Sequence, residues 1–155
     1  MAEFWDIYDQ NKCKTGKLAQ RDVYQFKRGE YHLVVVAVIM NSKNEILITK
    51  RAKTKKKEPL IWELTGGAKA GETSLQAILR EIKEEIGLTF VPDEAIFLKE
   101  IRKDEVPANF KDIWLFKEDI KIEEIECADG EVEDVKWVSI EQFLQIKEDN
   151  KMIST

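Results

Sequence analysis

Only two cysteines, Cys13 and Cys127, and a single histidine, His32, occur among the 155 residues. Two thiols so far apart have no metal-ligand spacing and no disulfide framework; they are expected to be reduced, as in a cytoplasmic protein. The longest apolar run, residues 33–40, is far shorter than the ~20 residues a membrane-crossing helix needs, so no membrane partner is expected. The opening MAEFWDIYDQ lacks the basic and apolar segments of an export signal. Positive charge is not in excess either. At a net charge of −5 no global field draws the chain to nucleic acid. Repeats and low-complexity stretches are missing. What remains is 43% apolar, enough for a core of its own, and the length suits one domain over residues 1–155.

Hydrophobic patterning predicts a mixed α/β chain. Residues 3–8 alternate weakly and read as a strand, followed by turn-prone residues at 9–11 and 15–16. Residues 32–40 are rich in β-branched side chains and read as a strand buried on both faces. Residues 41–44 form a hairpin turn leading to a strand at 45–50, with further strands at 95–101, 112–116 and 132–138. Residues 140–146 read as a closing amphipathic helix capped by Ser139.

The densest information lies in GGAKAGETSLQAILREIKEEIGL, residues 66–88. A helix is predicted over residues 74–86, capped by Thr73 or Ser74 and ended by Gly87 in a left-handed turn. At about 100° per residue, Glu81, Glu84 and Glu85 share one face. Leu75, Ile78, Leu79, Ile82 and Ile86 form the core stripe, and small Ala77 lies one turn before Glu81. Such a face is most often merely solvated. Here the i+4 partners of Glu81 and Glu84 are Glu85 and Leu88 rather than lysines, so helical ion pairing does not account for it. Clustered carboxylates near a glycine turn suit a hard divalent cation, Mg²⁺ or Mn²⁺, and through it a phosphate or diphosphate.

The segment resembles the Nudix box, G-x5-E-x7-R-E-U-x-E-E-x-G-U with U bulky and apolar, matched in order by Gly66, Glu72, Arg80, Glu81, Ile82, Glu84, Glu85, Gly87 and Leu88. In most members the second glycine of the pair starts the pattern. Here only Ala68, Lys69 and Ala70 separate Gly67 from Gly71, so Gly66 starts it and the loop is one residue short. The resemblance implies a Nudix α/β/α sandwich with a mixed central sheet, on which residues 1–32 pack as an N-terminal extension. It also implies metal ligation by Glu81, Glu84 and Glu85, orientation of these by Arg80, support of the loop by Glu72, and water attack at phosphorus. The base is a box glutamate or one from a later acidic loop; Glu131 is the choice there, as an extra metal ligand or base, with Glu133 next.

Substrate-facing residues follow from the same likeness. Lys50 and Arg51 end a strand where the family places a basic residue on the diphosphate, and Gly66 and Gly67 would admit it. Trp62 lines the pocket or the core, and residues 53–57, KTKKK, steer anions or form a solvated loop. Trp5, Trp114 and Trp137 are read as mainly structural. WDIYDQNKCKTG, Arg21 and GEYH are similar to the N-terminal part of the isopentenyl-diphosphate isomerase branch, in which His32 matches a metal-binding position. The isomerase cysteine and second histidine are absent beside Leu64-Thr65-Gly66. Expected, then, is hydrolysis of a small-molecule diphosphate, with an isomerase or a non-catalytic binding module as alternatives. Pairing of two copies as a homodimer stays open.

Overall fold

The β-branched run becomes the spine of the fold in the computed structural model, which describes residues 2–149. Met1 and residues 150–155, part of the expected domain, lie outside the described residues. Strand β3 (Tyr31–Met40) pairs in parallel with β7 (Ala108–Lys117) along its whole length, from Tyr31 opposite Ala108 to Met40 opposite Lys117. On the other side of β7 runs antiparallel β6 (Ile96–Lys103). Strand β4 (Glu45–Arg51) leaves β3 by the turn after Met40 and pairs antiparallel with β8 (Val132–Ser139) and with the short β5 (Trp62–Glu63).

The N-terminal hairpin, β1 (Phe4–Tyr8) and β2 (Lys14–Gln20), joins the sheet where Tyr8 pairs with Tyr31. Strand β2 is a correction to the sequence reading, which placed a turn at Thr15-Gly16. The turn falls earlier, with Lys12 at φ 62°. Asp9 accepts from the backbone N–H groups of Asn11 and Cys13 through Oδ1 and so closes the turn locally. Strand β7 also starts earlier than expected, because Ala108 to Lys111 extend the parallel ladder.

Two helices cover the two faces. Helix α1 (Ser74–Ile86) begins at a capping box between Thr73 and Gln76 and ends at Gly87 with φ 71°. It buries Ala77, Ile78, Ile82 and Ile86 against Leu33, Val35, Ala37 and Ile39 of β3. Each isoleucine hidden this way contributes roughly 1.5–3 kcal/mol. Helix α2 (Ile140–Glu148) lies with Phe143 and Ile146 against the other face, where Val38, Met40, Ile46, Ile48 and Val138 gather. The layers are therefore α/β/α, with a mixed sheet between. The second layer is thin: α2 buries no residue completely, so β3 is tightly covered on the α1 face and only partly on the other.

Candidate active site

Backbone packing sets the site's floor. The chain after β5 runs antiparallel to the middle of β3, with Ala37 N donating to Thr65 O at 2.8 Å and Gly67 N to Val35 O at 3.0 Å. A Cβ on Gly66 would stand 2.0 Å from Val35 O, so only glycine permits this approach. At Gly67, φ is 136°, and a Cβ would meet Glu81 Oε1 at 2.8 Å. The paired glycines thus press the loop onto β3 and bring it under the glutamate helix.

On that helix Arg80 is the hub. Its Nε and Nη2 donate to Glu72 at 2.5 and 2.8 Å, and the guanidinium pairs with Glu81 and with Glu84, each at 2.9 Å. Glu72 also accepts from Lys69 N at 2.8 Å, tying the loop to the same cation. Glu84 therefore has an i−4 partner, although its i+4 position offers none. Glu85 is different. Its Oε2 is buried with no hydrogen-bond partner. Burial, then the neighbouring Glu81 and Glu63 carboxylates, push its carboxyl well above the usual range. Burial also raises Glu81, against the pull of Arg80, and raises Glu63, against Arg51.

These groups face a cavity of about 280 Å³. The structure brings Glu81, Glu84, Glu85, Gly66, Gly67, Arg51 and Glu131 to its wall, together with His32. Arg80 stands behind the glutamates rather than on the wall. Lys50 and Trp62 are not brought to the wall. Strand alternation explains both: Thr49 opposes Glu63 and Lys50 opposes Trp62, so Arg51 and Glu63 face the cavity while Lys50 and Trp62 face the other way. There Trp62 packs on the α2-side core between the ammonium groups of Lys50, 5.6 Å from its ring centre, and Lys136, at 4.4 Å. Ala77, one turn before Glu81, does not line the site: it is wholly buried in the core. Glu133 stays outside, its carboxylate accepting from Lys53 N.

Sequence reasoning missed Glu63, Lys69, Glu3, Arg21 and Trp5, all on the wall. The strict alternation of β4 and β5 could have found Glu63. Lys55 is the one lysine of the KTKKK run that reaches the wall, where it pairs with Glu131. Trp5, read as structural, stacks on His32 with ring centres 4.4 Å apart. Burial and nearby Lys103 push the His32 imidazole down to about 4, and its Nδ1 is buried without a partner. Trp114 and Trp137 fit their structural reading, donating to Ser74 Oγ and Ile120 O.

An all-oxygen donor set with an orphaned buried carboxylate oxygen fits a hard divalent cation. Among the described residues no three His, Cys, Asp or Glu side chains converge as a ready ligand set; Arg80 holds Glu81 and Glu84 instead. The residues fit the ion in kind, and ligation would require these carboxylates to share or leave the guanidinium. Among the described residues, no helix is long and apolar enough to cross a membrane, and both cysteines are free.

A glycine loop pressed on a mixed sheet beneath a helix bearing Arg-Glu and Glu-Glu pairs defines the Nudix type of α/β/α protein. The NUDIX domain profile matches residues 30–154. An uncharacterized Nudix hydrolase of Listeria innocua is 35% identical over 97% of this chain and 88% of its own length. The isopentenyl-diphosphate isomerase of Escherichia coli O127:H6 is 32% identical over 68 residues, 43% of this chain and 37% of that enzyme. The crystal structure of a Deinococcus radiodurans protein shares the fold with a TM-score of 0.78 at 18% identity, over 99% of this chain and 93% of that one. The chain belongs to the Nudix family, and it is an enzyme of the Nudix hydrolase type.

Proposed function

We propose that this protein is a Mg²⁺-dependent hydrolase, with Mn²⁺ as a substitute, that cleaves the diphosphate linkage of a nucleoside diphosphate derivative or a related small diphosphate. The observation that carries the reading is Glu85: a buried carboxylate beside Glu81 whose Oε2 has no hydrogen-bond partner, on a wall shared with Arg51 and Lys55. Carboxylates are retained in such a place at a cost in stability, and a cation bound between them and a phosphate offsets that cost.

Glu81, Glu84 and Glu85 would hold the ion. Bound there, it would neutralise diphosphate charge and lower the pKa of a coordinated water. Arg51 and Lys55 hold the phosphate oxygens, and the bare backbone at Gly66-Gly67 admits them. Arg80 keeps Glu81 and Glu84 oriented while Glu72 keeps Arg80 in place. The proton of the attacking water passes to Glu131, whose carboxylate is half-exposed and tethered to Lys55. The water oxygen bonds to phosphorus, the bridging P–O bond breaks, and a phosphorylated product leaves. Residues 1–32 work as part of the same domain, in a cytoplasmic setting.

The test is a mass-spectrometric product screen with Mg²⁺ over nucleoside diphosphate derivatives and isopentenyl diphosphate, with Glu84→Gln as control. Cleavage that disappears in the control supports hydrolysis and names the substrate class. Dimethylallyl diphosphate formed from isopentenyl diphosphate would replace the reading with an isomerase. No product from any compound would turn it toward a binding module.

A further inference from the structure

The loop between Gly67 and Gly71 is one residue shorter than the family pattern, and its backbone donors are completed from outside the family's domain. Ala70 N donates to Phe4 O at 2.7 Å and Gly71 N to Asp6 Oδ2 at 2.8 Å. Both acceptors belong to β1, which precedes the start of the Nudix profile at residue 30. Lys14 of β2 closes the joint, its Nζ lying 3.1 Å from Asp6 Oδ2 and donating to Glu72 O at 3.2 Å. The Asp6 side chain is only 14% exposed, held between Gly71 N and the Lys14 ammonium.

From that joint a hydrogen-bonded chain leads inward. Glu72 receives Lys69 N and the Arg80 guanidinium, and Arg80 holds Glu81 and Glu84. Asp6 is not on the cavity wall. We propose that Asp6 is a positioning residue for the glutamate site, taking over from the N-terminal hairpin the role of the residue the short loop lacks. This rests on the hydrolase reading for its kinetic consequence, but not for its structural one.

Chemically, Asp6→Ala removes the acceptor of Gly71 N and one of the two held by Lys14, the other being Glu72 O, and so loosens the backbone that leads into Glu72. Loss of a group that orients metal ligands typically costs about 10–100-fold in affinity or activity. The experiment compares wild type, Asp6→Asn and Asp6→Ala by three readouts: amide exchange at residues 67–72 in the metal-free protein, Mn²⁺ binding by calorimetry, and turnover of whichever diphosphate the product screen identifies. Expected for Asp6→Ala are loss of protection at Ala70 and Gly71, roughly tenfold weaker Mn²⁺ binding and roughly tenfold slower turnover. Asn, which keeps an acceptor oxygen for Gly71, should restore most of each. Should Asp6→Ala fail to fold, Lys14→Met is measured instead and should weaken Mn²⁺ binding a few-fold at unchanged Cys127 accessibility. Unchanged protection and Mn²⁺ affinity in the folded variants would overturn the proposal. If wild type proves to hydrolyse nothing, exchange and Mn²⁺ binding still decide the role of Asp6, so the two readings fail separately.

Discussion

Helix α1 and the N-terminal hairpin meet at one cavity and are held there by different balances of apolar burial and polar ties. The helix is fixed by apolar burial, with Ile78, Ile82 and Ile86 fully hidden, and its polar face is left free to carry carboxylates. The hairpin buries Ile7, Tyr8 and Ala19, but the rest of β2 is exposed, and polar ties add to the fixing. Lys12 reaches Glu100 at 2.6 Å and the buried Asp112 at 2.7 Å, Asp6 reaches Gly71, and Arg102 donates to Gln10 O. A helix with a greasy stripe is positioned by its own periodicity. A hairpin tied by single pairs is positioned by residues 60 to 100 places away, so each tie is a point where it can be released.

The sharpest break in this comparison falls on the helix's polar face. Glu85→Gln should lower turnover on the order of 10³-fold, the scale of losing a principal charge-stabilising group. The same change should raise the unfolding temperature of the metal-free protein at neutral pH, because a buried repelling charge is removed. Kinetics beside thermal unfolding would check both signs; a fall in both would make Glu85 a structural residue. Next is the floor between the regions. Gly66→Ala must move Val35 O or the loop, and a loss of about 3 kcal/mol is expected in urea unfolding.

On the hairpin side, Lys12→Met strands Asp112, whose side chain is 2% exposed. A loss of about 2 kcal/mol is expected, less than for a wholly buried pair because Lys12 itself is partly solvated. Hydrogen exchange should show it concentrated in β1 and β2 and not in α1. Even loss across both would mean that the regions unfold as one unit. The smallest effect sits where they touch, at His32 under Trp5. Its folded pKa of about 4 lies below the ordinary 6.5, so the unfolded chain takes up the proton first. The stability at stake is full above pH 6.5 and is lost as pH falls toward 4, by about 1–2 kcal/mol after allowing for partial exposure. His32→Phe should remove that part of the acid dependence, read as the difference between two urea series.

How much was legible follows the same divide. The bounds of α1, its caps and its three buried isoleucines could be read from the sequence, since local spacing and local capping decide them, whereas Ala77 was read on the acidic side and lies in the core. The box glutamates were legible for the same reason. Lys50 was misplaced, and Trp62 left open between pocket and core, because naming adjacent residues ignores that a strand sends neighbours to opposite faces. Glu3, Trp5 and Arg21 were missed as wall residues because nothing in a hairpin's own sequence says which distant loop it will cover.

By itself, then, the sequence determined the α/β pattern, the glutamate helix with its glycine turns, and through the box the family. Each rests on periodicity or on spacing within some twenty residues. Only the tertiary structure decided that Glu85 Oε2 is buried without a hydrogen-bond partner, that Arg51 and Glu63 face the cavity, and that β1 completes the short loop. Burial and long-range hydrogen bonding depend on which surfaces come together, and no local pattern encodes that.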